Sequence, residues 1–142
     1  IRKMLEIIKI KSSDKRFKLC REIRREVFVQ EQGVSENDEY DNFENISSHY
    51  LLFKNQIPLA TARFRNTELG IKIERFAVIK KNRNCGLGKF LVEKILLDLV
   101  KLRKPIYLNS QTNVIGFYSK FGFKVVGEMF KEAGIEHYKM IL

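Results

Sequence analysis

Arg83-Asn84-Cys85-Gly86-Leu87-Gly88 is the stretch whose residue types and spacing most invite chemistry. It lies between a β-branched apolar run and a long apolar-periodic one, so it reads as a strand–loop–helix turn. A helix N-terminus offers unpaired N–H groups and the positive end of the helix macrodipole. Glycines at 86 and 88 let the backbone approach a ligand closely, while Lys80, Lys81 and Arg83 add positive charge at the mouth. Such an assembly suits a pyrophosphate. It is not a Walker loop, because no Gly-Lys-Ser/Thr comes after it. It is not a dinucleotide fingerprint, because Phe90-Leu91 stands where the third glycine belongs. An ordinary glycine turn with solvated lysines would use the same residues. Cys85 lies beside the helix start, where thiols acidify, but no histidine is near it in sequence, and it reads as a filler position. His49 and His137 are the only histidines, with no HExxH or CxxC pair, so no metal site is expected.

The elements that must carry this loop are legible from periodicity. Residues 4–10 are β-branched and apolar and read as a strand, with Ser12, Ser13 and Asp14 as helix-cap candidates. From Phe17, the positions Leu19, Cys20, Ile23, Val27 and Phe28 recur at three and four, which predicts a helix to about Gln30. Ser35–Asn45 has the composition of a loop, with room for one helical turn. Strands are expected over 49–54, 57–65 and 71–79, joined by the tight turn Asn55-Gln56 and a turn at Glu68-Leu69-Gly70. Pro58 must sit at a strand start or edge. After the glycine loop, Leu87–Arg103 reads as a helix with one broad apolar face. A strand at 106–109, a short helix at 112–120 and strands at 123–129 and 136–142 finish the chain. The order β α β β β α β α β β predicts an α/β (α+β) sandwich around a mixed sheet.

The chain has 142 residues, enough for one domain spanning 1–142. Its 44% apolar and 31% charged content is that of a globular protein. Apolar runs are too short for a membrane span. Two cysteines exclude a disulfide framework, and a reduced, cytoplasmic setting is expected. No secretory pattern is visible, although the chain begins at Ile1 and a leader could precede it. The net charge of +10 raises the question of an anionic partner. Yet residues 27–53 contain no Lys or Arg and hold Glu31, Glu36, Asp38, Glu39, Asp41 and Glu44. An acidic lobe beside a basic body argues against nucleic-acid binding.

The glycine loop after Glu74-Arg75-Phe76-Ala77-Val78 resembles the acetyl-CoA signature of the GCN5-related N-acetyltransferases (GNAT). The stretch Asn113-Val114-Ile115-Gly116-Phe117-Tyr118-Ser119-Lys120-Phe121-Gly122-Phe123 resembles that family's second motif, in the right order. The resemblance implies a mixed, mostly antiparallel sheet of six or seven strands with helices on both faces. It implies acetyl-CoA as cosubstrate and a primary amine of a small molecule as acceptor. The cofactor residues would be Phe76, Ala77 and Val78 along the pantetheine arm, and Arg83, Asn84, Cys85, Gly86, Leu87, Gly88 and Lys89 around the pyrophosphate. Asn109, Asn113, Phe117 and Tyr118 would complete them. Tyr118 matches the tyrosine that protonates the departing thiolate; a phenol, with a pKa near 10, is protonated at neutral pH. Glu74 is the candidate for taking the amine's proton, against a bland role as an ion-pair partner.

Residues 25–34, Asp38 to Asp41, His49 and 132–140 further resemble a small bacterial-type acetyltransferase subgroup. That makes Glu31, Gln32, Arg63, Arg75 and His137 candidate acceptor contacts. Some similarity to glucosamine-phosphate N-acetyltransferases raises an amino-sugar phosphate, such as glucosamine 6-phosphate, held by Arg63 and Arg75. Two alternatives stay open: a CoA-binding sensor or scaffold without turnover, and a small basic nucleic-acid binder. The sequence is silent on oligomeric state, but edge strands in such folds often pair across dimers, so a homodimer is one expectation.

Overall fold

The computed structural model describes residues 4–142 and shows one seven-stranded sheet in the order β1-β2-β3-β4-β5-β7-β6. Residues 1–3 of the expected 1–142 domain lie outside the described residues. The strands are β1 (Leu5–Ile10), β2 (Ser48–Lys54), β3 (Ile57–Thr67), β4 (Gly70–Val78), β5 (Ile106–Gln111), β6 (Lys124–Glu132) and β7 (Ile135–Ile141). The helices are α1 (Phe17–Arg24), α2 (Glu36–Glu39), α3 (Leu87–Leu99) and α4 (Ile115–Ser119). All neighbouring strands run antiparallel except β4 and β5.

The hairpin turns obey their residue types. Asn55 and Gln56 both take positive φ (50° and 69°), the conformation a two-residue β2–β3 turn requires. Pro58 sits near the start of β3, where the register with β2 shifts. Helices cover both faces. His49 and Tyr50 are successive residues of β2 and so point to opposite faces. The ring of His49 packs against Phe17 of α1 (centroids 4.5 Å apart), whereas the Tyr50 hydroxyl donates to Asp98 of α3 at 2.7 Å. Leu91, Ile95 and Leu99 of α3 and Cys20, Ile23 and Val27 on the other side are buried against the sheet.

Two elements differ from expectation. The apolar spacing predicts a first helix running evenly to Gln30. Its α-helical part ends at Arg24, and Arg25–Glu31 forms a π-helix, with the Gln32 N–H reaching back five residues to the Val27 carbonyl. The wider turn rotates the residues downstream of it around the axis and brings Glu31 and Gln32 onto the end of the sheet. No side-chain cap closes the start of α1; Asp14 instead accepts from the Arg16 N–H. The short helix expected over 112–120 is a 3₁₀ turn at Thr112–Val114 leading into α4.

β4 and β5 pair only over Ile71–Ile73 and Ile106–Leu108. Beyond that the strands part. Arg75 stands at the break with φ of 54°, a left-handed backbone rare for a non-glycine residue, and the β3–β4 register shifts at the same place. The bulge coincides with the end of the β4–β5 pairing, which leaves a cleft between the two strands in the middle of the sheet.

Candidate active site

The glycine loop closes one end of that cleft. None of the backbone N–H groups of residues 84–89 donates to another group among the described residues; the helical ladder starts at Phe90, whose N–H reaches the Gly86 carbonyl. Asn84 (φ 63°) and Gly86 (φ 88°) both take left-handed backbone. Six consecutive free amides at the start of a 13-residue helix are donors that an anion could use. Leu87 is buried, so it offers only its backbone; Lys89 and Cys85 are exposed. A Cβ on Gly88 would stand 3.4 Å from the Phe117 ring, so that glycine seats the loop against α4.

The cleft wall on the α3 and α4 side is aromatic. Phe117 packs against Phe76 (5.9 Å), Tyr118 (5.1 Å) and Phe121 (5.3 Å). Tyr118 shares a small apolar cavity with Ile73, Phe76, Leu108 and Phe123. Its hydroxyl makes no hydrogen bond to a described residue. Burial pushes the phenol well above its usual pKa, so it keeps its proton throughout the neutral range. Asn113 is exposed on the 3₁₀ turn before α4.

The opposite face belongs to the end of the π-helix. Glu31 holds Arg83 by a bidentate pair (2.6 and 2.7 Å), and Arg83 also donates through Nε to the Val78 carbonyl at 2.8 Å. The hydrogen bonds from Arg83 hold the Glu31 carboxyl below its usual pKa. Gln32 exchanges amide hydrogen bonds with Gln111 of β5 (2.9 and 3.3 Å). Glu31 and Gln32 thus tie one element to both walls of the cleft. Gln111, which sequence reasoning missed, faces His137 directly across β5 and β7. The His137 Nδ1 lies 2.6 Å from the Ile135 carbonyl, and its ring stacks on Phe130.

Three expectations meet a different geometry. Glu74 contacts Arg63 (2.6 Å), Arg65 (2.8 Å) and Lys72 (3.0 Å). Burial alone would raise its pKa, but hydrogen bonds from Arg65 and Lys72 and the charge of Arg63 outweigh burial and hold it at about 2. A carboxylate that acidic is a poor proton acceptor at neutral pH. The bland reading of Glu74 as an ion-pair partner fits the geometry. Arg63, 1% exposed, is enclosed by Asp41, Glu44 and Glu74. Arg75 is held by Glu39 (2.8 Å) and Asp41 (3.1 Å). Neither arginine is available to a sugar phosphate. The acidic segment 31–44, read as a lobe beside a basic body, is largely the inner counter-charge of these arginines and of buried Arg24, which Glu39 and Glu44 hold at 2.7 and 3.0 Å.

Comparison with known proteins places this arrangement. Residues 12–142 match the family model described as an acetyltransferase (GNAT) domain. The chain belongs to the GNAT family. The uncharacterized N-acetyltransferase YjcF of Bacillus subtilis is 36% identical over 123 residues, covering 84% of this chain and 86% of that protein. ElaA of Escherichia coli is 32% identical over 125 residues, and its crystal structure superposes with a TM-score of 0.86 over 96% of this chain and 99% of that one. An acyl-CoA N-acyltransferase from Pseudomonas aeruginosa, 27% identical, superposes with a TM-score of 0.87 over 97% and 99% of the two chains. The chain falls in the small bacterial subgroup of ElaA and YjcF, and family membership makes it an acetyl-CoA-dependent N-acetyltransferase. No described helix is long and apolar enough to cross a membrane.

Proposed function

We propose that this GNAT enzyme transfers acetyl from acetyl-CoA to a primary amine of a small molecule by direct attack, with Tyr118 as general acid. The observation that carries the reading is the row of six free amides at the N-terminus of α3, set beside the gap between β4 and β5. A diphosphate suits the cradle of 84–89. The edge of β4 at Phe76, Ala77 and Val78 lacks a β5 partner and can hydrogen-bond an extended amide-containing arm. When bound, acetyl-CoA supplies an acetyl carbon activated as a thioester. The amine attacks that carbon as the free base, because an ammonium has no lone pair. As the carbon–sulfur bond breaks, the Tyr118 hydroxyl gives its proton to sulfur. The proton lost from nitrogen passes to water, since Glu74 is not basic enough to take it.

Arg63 and Arg75 being engaged, an amino-sugar phosphate would have to find its counter-charge elsewhere, and the acceptor class stays the wider one of primary amines. The test is a free-thiol assay of CoA release over a panel of amino sugars, polyamines, amino acids and N-terminal peptides. At least one amine is expected to release CoA. Tyr118→Phe is expected to lower that rate roughly 10²–10⁴-fold while calorimetry shows acetyl-CoA still bound. A CoA-binding protein that no amine turns over would instead be a sensor.

A further inference from the structure

Asn109 is the first residue of β5 beyond its last pairing with β4, since Leu108 is the final partner of Ile73. Continuing that register sets Asn109 opposite Glu74, at the apex of the cleft. Alternation along the strand fixes its face. Leu108 lines the apolar cavity of Tyr118, and Gln111 meets Gln32 at the end of the π-helix, so Asn109 points with Gln111 to the π-helix side. Tyr118 and Asn109 therefore flank the gap from opposite faces of the sheet.

The amide of Asn109 has no hydrogen-bond partner among the described residues, and its Oδ1 is sealed from solvent. A buried polar atom without a partner is destabilising, and one in a native fold calls for a reason. Asn82 Oδ1, Arg21 Nε, Glu44 Oε2 and Arg75 Nε share that condition. Three of these have an opposite charge nearby: Arg21 has Glu44, Glu44 has Arg24 and Arg75 has Glu39. Among the described residues, the side chains of Asn82 and Asn109 have neither a hydrogen bond nor a charge, and of the two only Asn109 lies on β5 at the end of its pairing with β4.

We propose that Asn109 is a catalytic residue for the amine, an inference that rests on the acetyl-transfer reading above. When the thioester enters the gap between β4 and β5 and uncovers this amide, its Nδ2–H donates to the thioester oxygen and its Oδ1 accepts an N–H of the attacking amine. The oxygen and nitrogen of one amide are spaced like the oxygen and nitrogen on the carbon under attack, so one planar group meets both. As the nitrogen lone pair forms the new bond, the carbonyl pair moves to an oxygen already holding a donor; the C=O bond reforms when sulfur departs with the Tyr118 proton. The departing thiol leaves on the Tyr118 face and the amine arrives on the Asn109 face.

The test compares Asn109→Leu and Asn109→Asp with the parent protein. Leu removes the unpaired atoms, so the ligand-free variant should melt about 2–4 °C higher. By calorimetry it should bind CoA as the parent does. CoA release with the best amine of the panel should fall roughly 10²–10³-fold, the cost of losing one preorganised donor at a developing oxyanion. Asp retains an acceptor and loses the donor, so it should also lose rate. A lower melting point with the rate preserved would make Asn109 a structural residue and overturn the inference. An equal loss of affinity for CoA and acetyl-CoA would make it a pantetheine contact and overturn it as well. If the parent releases CoA with no amine, the acetyl-transfer reading fails, and this inference with it; parent turnover that both variants retain sinks this inference alone.

Discussion

At the scale of single residues, neighbours decide what a side chain can do. Glu74 sits on the strand that borders the cleft, and by sequence position it is a reasonable base. Three cations around its carboxylate turn it into a fixed anion. Glu74→Gln is therefore expected to act on the fold: removing one member of a buried charge cluster costs about 3–5 kcal/mol, read as a lower urea midpoint. Were Glu74 also the base, the variant would in addition lose the pH dependence of its rate. Tyr118 is the opposite case. It stands out in the sequence because Phe117-Tyr118 and Gly122-Phe123 lie within one short segment. The unpartnered amide of Asn109 does not, nor does the pairing of Gln32 with Gln111 across 79 residues, because both depend on which strands meet.

At the scale of elements, turns are the easiest features to read and interruptions the hardest. Asn55-Gln56 and the Gly86/Gly88 loop declare themselves by residue type. The π-helix does not, since Val27 and Phe28 continue the apolar spacing of an ordinary helix and only the hydrogen bonds, reaching back five residues in place of four, reveal it. The bulge at Arg75 is equally silent, because arginine carries no signal for left-handed backbone. For the phosphate cradle the backbone matters more than any side chain. Nothing lies within 4 Å of a Cβ built on Gly86, so size is no obstacle there, but φ of 88° is. Gly86→Val would impose about 1–2 kcal/mol of strain. The expected outcome is about a tenfold weaker CoA affinity by calorimetry, as the amides turn out of line. Unchanged affinity would show that the anion does not rest on these amides.

For the whole molecule, the charge cluster between α1, α2 and the sheet sets the response to acid. Glu74 and Asp41 both sit at about 2 in the fold, against ordinary values of 4.5 and 3.8. In each case burial pushes the pKa up, and the arginines more than reverse it. The unfolded chain thus binds protons before the folded one does. The stability these groups contribute is complete above their ordinary values and lost as the pH falls from about 4.5 toward 2. Glu74 alone accounts for about 3 kcal/mol of it. Urea midpoints should slip modestly from pH 7 to 5, because burial disfavours protonation of His49 in the fold, and drop steeply below; Glu74→Gln should flatten the steep part. The short seam between β4 and β5 has a wider consequence. The sheet is two plates, β1 to β4 and β5 with β7 and β6, whose strands pair directly only along Ile71–Ile73, with the Gln32–Gln111 pair bridging beyond. An arm lying in the open part of that seam acts as a suture between the plates. Occupancy and cohesion of the protein thereby become one quantity, and whatever fills the gap announces itself as heat resistance.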